Sequence, residues 1–132
     1  MTAFASYPSL KDRAVLVSGG GSGIGASIVE HFAAQGARVG FVDLDEAAST
    51  TLVARIAAAG HPAPAFARCD VRDTAAYQAT IAALAARTGD FTVLVNGAAR
   101  DDRHTIEEVT EAYWDERIAV NLRHHYLSLI HI

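Results

Sequence analysis

The chain has 132 residues, 51% of them hydrophobic but only 8% aromatic, which suffices for one domain with a core of its own. Its net charge of −4 gives no electrostatic reason to expect nucleic acid or an acidic membrane as a partner. Cys69 is the single cysteine, so an internal disulfide is excluded; it fits a reducing compartment and reads as a small buried hydrophobe at a strand end.

Met1 to Lys11 is polar and interrupted by Pro8, without the positive start and apolar stretch of a secretion signal. No apolar run approaches the ~20 residues of a membrane span, so a cytoplasmic protein is expected. Ala14 to Ser18 (AVLVS) is a continuous apolar run, the pattern of a strand covered on both faces. Gly25 to Gln35 has helical spacing, with Ile28, Val29 and Phe32 on one side and Gly36 as its stop. Arg38 to Asp43 predicts a second strand. Glu46 to Ala59 predicts a second helix between Asp45 as N-cap and Gly60. A third strand, Ala63 to Cys69, leads into a helix over Thr74 to Thr88, capped by Asp73 or Thr74. Phe91 to Asn96 is the fourth strand. The polar loop Gly97 to His104 follows, and a last helix starts near Thr110 or Glu111 and runs through Asn121.

Strands and helices therefore alternate through short connections. That order predicts an α/β fold: a Rossmann-type, doubly wound parallel sheet with right-handed crossovers, strand order 3-2-1-4, cut after about four strands and the following helix. Residues 1–126 are expected to form a single portion of one domain, with no second domain and no repeat.

Ser18 to Gly25 reads SGGGSGIG, a GxxxGxG arrangement of Gly19, Gly23 and Gly25 between a predicted strand and a predicted helix. Such a turn needs positive φ, a pyrophosphate needs backbone without a Cβ, and the helix start offers free N–H groups to an anion. Ser22 and Ile24 belong to the same loop. Asp43 closes the second strand, 18 residues after Gly25, where a carboxylate can accept both adenosine ribose hydroxyls and repel a 2′-phosphate. Ser22 and Leu44, the neighbouring positions, are not basic, and Arg38 lies at the wrong end of its strand. The cofactor expected is NAD.

These residues, with others further along, resemble the short-chain dehydrogenase/reductase family from Ala14 to about Tyr126. Asp70-Val71 is similar to the family's adenine-contacting Asp-Val, and Asn96-Gly97-Ala98-Ala99 to its Asn-Asn-Ala-Gly, with Gly97 in place of the second Asn and Ala99 in place of the Gly. Trp114-Asp115 and Val120-Asn121 match the helix carrying the family's structural and catalytic asparagine. The resemblance implies cofactor contacts at Gly19, Ser22, Gly23, Ile24, Gly25, Asp43, Leu44, Asp70, Val71, Asn96, Gly97 and Ala98, and a catalytic role for Asn121. Within the family, Tyr7 to Lys11, Asp101 to His104 and Tyr113 to His124 resemble NAD-dependent D-xylose (aldose) 1-dehydrogenases, which oxidise the anomeric carbon to the lactone. In that chemistry hydride passes to the nicotinamide, a tyrosine with a lysine-lowered pKa takes the hydroxyl proton, and a serine orients the substrate. Tyr77, Tyr113 and Tyr126 have Ile81, Arg117 and Ile130 four residues on rather than lysine, so none is assigned as the base; the serine and the Tyr-x-x-x-Lys pair are expected beyond the last residue.

The six histidines show no zinc-like spacing, and no metal is expected. Asp101, Asp102, Arg103 and His104 follow the carboxyl end of a parallel strand and offer a sugar several hydrogen-bond partners. Tyr113 and Trp114 read as packing or subunit contacts, and a homo-oligomer with a small-molecule sugar substrate is expected. Leu127 to Ile132 reads LSLIHI, the translation of CTG TCT CTT ATA CAC ATC, the end sequence of a common sequencing transposase. Residues 127–132 are therefore expected to be an adapter-derived tail rather than native structure. The readings that compete with an aldose dehydrogenase are a non-catalytic NAD-sensing module on the same fold and a short-chain dehydrogenase acting on another alcohol.

Overall fold

A computed structural model of the chain describes residues 5–129. A 3₁₀ turn at Pro8–Leu10 precedes β1 (Ala14–Ser18) and α1 (Gly23–Ala34). Then come β2 (Arg38–Asp43), α2 (Glu46–Ala58), β3 (Ala65–Arg68), α3 (Thr74–Thr88) and β4 (Val93–Asn96). A 3₁₀ turn at Ile106–Glu108 leads to α4 (Glu111–Ile118), a π-helical turn over Ala119–Arg123 and α5 (His124–Ser128). The last helix runs through Asn121, as expected, and continues by way of the π-helical turn to Ser128. Residues 127 and 128 of the expected tail lie in α5; residues 130–132 lie outside the described residues.

All pairs are parallel in the order β3-β2-β1-β4. β1 lies at the middle of the sheet and is buried along its whole length, whereas β4 is half-buried at every residue. Alternation along β1 divides the core. Ala14 and Leu16 join Tyr77, Ile81, Leu84 and Phe91 on the α3 face. Val15 and Val17 join Val29, Phe41, Leu52 and Ile56 on the α1–α2 face. Asp45 and Asp73 cap α2 and α3 by accepting from Ala48 N and Ala76 N at 2.9 and 3.0 Å, each such cap contributing about 1 kcal/mol.

Candidate functional site

The carboxyl ends of β1, β2 and β4 open onto one cleft of about 570 Å³. Gly19, Ser22, Gly23, Ile24 and Gly25 form one wall, Asp43 and Leu44 a second, Cys69 to Arg72 a third, and Gly97 to Asp101 with Val120 the remainder. Eleven of the twelve positions expected to meet a cofactor therefore converge. Asn96 does not line the cleft. It pairs in register with Ser18, which places both side chains on the sheet face beneath the loop, and its carboxamide oxygen accepts the Ser128 hydroxyl at 3.2 Å.

The glycine loop fits a pyrophosphate. Ser22 is the N-cap of α1 but makes no side-chain cap bond, so the first N–H groups of the helix are left for an anion. Gly25 packs so tightly that a Cβ there would lie 1.8 Å from the Gly19 carbonyl oxygen. Gly23 has φ +53° and open space around it, so its requirement is conformational rather than steric.

Asp43 is held from two sides. Oδ2 accepts from Gly21 N at 2.8 Å and Oδ1 from Asp45 N at 2.9 Å, which leaves lone pairs on each oxygen for further donors. Arg38 donates to the Asp12 carbonyl at the far end of the sheet, as its place in the strand indicated. Ser22 and Leu44 are not basic, but the sheet brings a base beside them: Arg68, in register with Asp43, donates from Nε to the Leu44 carbonyl at 3.2 Å. Spacing along one strand could not show this, because the contact crosses between β2 and β3.

Arg72, also missed in the sequence, binds Asp70 through several contacts of 2.6 to 3.0 Å and Glu116 of α4 at 3.2 Å. Its hydrogen bonds hold the Asp70 carboxyl below the ordinary carboxylate range. Cys69 is buried in the core, and burial pushes its thiol upward. Asn121 clamps the loop after β4: Oδ1 accepts from Arg100 N and Nδ2 donates to Arg100 O, both at 2.8 Å. Beside it lies a second hollow of about 380 Å³, lined by residues that include Asp102, His104, Tyr113 and Arg117. There Tyr113 Oη lies 2.7 Å from His104 Nδ1, and Arg117 stacks on the Tyr113 ring while binding Asp102 at 2.6 Å. Of the loop residues expected to meet a sugar, Asp101, Asp102 and His104 line this hollow and Arg103 does not.

Tyr7 and Lys11 share the Tyr-x-x-x-Lys spacing and were passed over in the sequence. They flank the first 3₁₀ turn, where Tyr7 N donates to Gln35 Oε1 at 2.8 Å. That is the C-terminal end of α1, roughly 18 Å along the helix from the glycine loop, so the pair takes no part in the cleft. Among the described residues no group of three or more His, Cys, Asp or Glu could hold a metal ion, and no helix is long and apolar enough to cross a membrane.

A parallel sheet with a glycine-lined helix start, an acid closing β2 and a polar loop after β4 defines a Rossmann-type dinucleotide-binding fold. The short chain dehydrogenase family model matches residues 13–129, and the chain belongs to that family. It is 52% identical over 120 residues to a probable galactose dehydrogenase, GalD, of Rhizobium meliloti, covering 91% of this chain and 47% of that protein. It is 50% identical over 120 residues to D-xylose 1-dehydrogenase of Caulobacter vibrioides, covering 91% and 46%. The chain thus spans about half the length of these relatives. Among solved structures, a short-chain dehydrogenase/reductase from Serratia marcescens superposes with a TM-score of 0.88 at 28% identity, covering 95% of this chain and 51% of that one. A short chain dehydrogenase from Burkholderia cenocepacia in complex with NADP superposes with a TM-score of 0.85 at 29% identity, covering 92% and 49%. The family binds nicotinamide cofactors, and its members include both sugar dehydrogenases and an NADP complex.

Proposed function

We propose that the chain is the cofactor-binding portion of an NAD-preferring dehydrogenase that oxidises an aldose, such as D-xylose, at the anomeric carbon to the lactone. The observation that carries the cofactor choice is Asp43: a carboxylate braced by two backbone N–H groups at the mouth of the cleft, with acceptor capacity left for two ribose hydroxyls. The start of α1 would hold the pyrophosphate, Asp70 and Val71 the adenine side, and Gly97 and Ala98 the sheet side of the dinucleotide. The bound nicotinamide supplies the hydride acceptor; the residues present here bind and orient. Asn121 fixes the loop after β4, and the hydroxyl, imidazole and carboxylate groups of the second hollow suit a polyhydroxylated substrate. The sugar reading is supported by the two relatives at 50–52% identity, named for galactose and D-xylose.

On this reading the proton-accepting tyrosine, its lysine and the substrate-orienting serine lie beyond the last residue of this chain, and the whole enzyme is a homo-oligomer. Trp114, Ile118, Leu122 and Tyr126, exposed at intervals of four along one side of the last helix, support an apolar subunit contact. The deciding experiment gives the full-length protein a panel of pentoses and hexoses with NAD or NADP and follows absorbance of the reduced cofactor. Turnover of aldoses with NAD is expected. Silence on every sugar with activity on another alcohol overturns the substrate, and binding of NAD without turnover of any alcohol favours a sensor.

A further inference from the structure

A buried chain of polar groups joins the helix that carries Asn121 to the loop that walls the cofactor cleft. His124 is 1% exposed. Its Nδ1 lies 2.6 Å from the Val120 carbonyl oxygen, which can only accept, so Nδ1 carries the proton. In the neutral ring Nε2 is then an acceptor, and the group 3.1 Å from it is the Ser18 hydroxyl. Ser18 in turn receives two backbone donors on its hydroxyl oxygen, Ala98 N at 3.3 Å and Gly97 N at 3.1 Å, the latter shared with the Ser18 carbonyl at 3.0 Å. The Ser18 hydroxyl thus donates to His124 while its oxygen accepts from the loop. A protonated ring would present a further donor to an oxygen that already accepts from the loop. The Tyr77 ring stands edge-on at 6.1 Å and is itself 1% exposed.

We propose that His124 is a positioning residue for the nicotinamide cofactor, accepting the Ser18 hydroxyl proton so that the Ser18 oxygen holds Gly97 and Ala98 at the cleft wall. The inference rests on the cofactor reading above. The π turn over Ala119–Arg123 makes the arrangement possible: from one stretch of helix, Asn121 clamps the loop at Arg100 while His124 reaches it at residues 97–98 through Ser18. Neither the glycine-loop motif nor the spacing of the histidines points to this link, because its two side chains are 106 residues apart.

The test is made in the full-length enzyme. Ring ¹⁵N shifts of His124 report the tautomer without any cofactor, and a neutral ring protonated at Nδ1 is expected. Loss of one net hydrogen bond in the relay corresponds to roughly tenfold, so His124→Ala is expected to raise the Kd for NAD about tenfold with a much smaller effect on the KM for sugar. His124→Gln keeps a neutral acceptor and is expected to recover most of that affinity. Ser18→Ala is expected to weaken NAD binding similarly, and the double variant to be no worse than Ser18→Ala alone, the signature of one shared path. A lowered Tm with an unchanged Kd for NAD, a ring protonated at Nε2, or additive losses in the double variant each overturn the proposal. A wild-type enzyme that binds neither NAD nor NADP overturns the cofactor reading itself, and the proposal with it, and is recognisable before any variant is made.

Discussion

The N–H of Gly21 donates to Asp43 Oδ2 at 2.8 Å, so the acid proposed to select the cofactor also braces the glycine loop proposed to hold it. One side chain therefore serves two functions, and substitutions at Asp43 change both. Asp43→Ala combined with Leu44→Arg is expected to move the NADP/NAD ratio of kcat/KM upward by at least about tenfold, the equivalent of ~1.4 kcal/mol. It should also lower Tm, because two backbone donors lose their acceptor at about 1 kcal/mol each. Arg68, already against the Leu44 carbonyl, adds positive charge at that edge of the cleft. Arg68→Ala in the double variant is expected to return part of the gain. A wild-type enzyme with equal or better kcat/KM on NADP would show that Asp43 had been misread.

The two glycines flanking Ile24 should respond differently to the same added methyl. Gly25→Ala places a Cβ 1.8 Å from the Gly19 carbonyl oxygen, a backbone atom that cannot move without displacing the loop. A cost at the upper end of the about 1–3 kcal/mol typical of overpacking is expected, with NAD binding abolished. Gly23→Ala meets no atom within 4 Å, and only φ +53° opposes it, at about 1–2 kcal/mol. Thermal melts and NAD titrations of both variants check the order. A Gly25→Ala protein as stable as Gly23→Ala would contradict the packing of the loop.

The fold was legible because its signals are local. Asp45 and Asp73 announce α2 and α3 by their position before alanine-rich runs, and β1 shows its central place by having no polar residue before Ser18. Glycine spacing and Asp43 brought the cleft within reach for the same reason. The contacts that were not legible run between elements: Arg68 to Leu44, Arg72 to Glu116, and Ser18 to His124. Asn96 was assigned to the cleft by motif, yet its carboxamide oxygen accepts the Ser128 hydroxyl, a contact that motif spacing does not announce. The Tyr7–Lys11 spacing is the converse case, a matching pattern at the wrong end of α1.

Burial, assisted by the neighbouring His125, lowers the His124 pKa to about 4. The unfolded chain takes up this proton near the ordinary histidine value of about 6.5. Between those values the unfolded state binds more protons, so the contribution of His124 to stability is complete above the unfolded pKa and is lost as pH falls towards about 4. Urea midpoints of the full-length protein at pH 7 and pH 5 are expected to differ by a histidine-dependent share on the order of 1–2 kcal/mol. In His124→Gln that share should vanish. Equal slopes in wild type and variant would place the proton uptake elsewhere.

Expressed as these 132 residues alone, the chain is expected to be inactive and to unfold without a sharp transition. Lys11 is the only lysine, and it lies with Tyr7 at the far end of α1; Tyr77 is buried with its hydroxyl pushed up to about 12, chiefly by burial, and Tyr126 has no lysine beside it. No tyrosine–lysine pair can therefore meet a substrate at the cleft. Stability is limited at two places. β4 presents Val93, Leu94 and Val95 at a sheet edge, half-buried where β1 is fully covered, and such an edge templates association. Trp114, Leu122 and Tyr126 are 61%, 60% and 73% exposed along the last helix. A few hundred Å² of apolar surface left in water forfeits several kcal/mol at about 25 cal/mol per Å². The whole stability of a domain is only about 5–15 kcal/mol. Size-exclusion chromatography and a thermal melt of the 132-residue protein decide the matter. A soluble monomer with a cooperative transition would show that four strands suffice, and dehydrogenase turnover would refute the chemical half on its own.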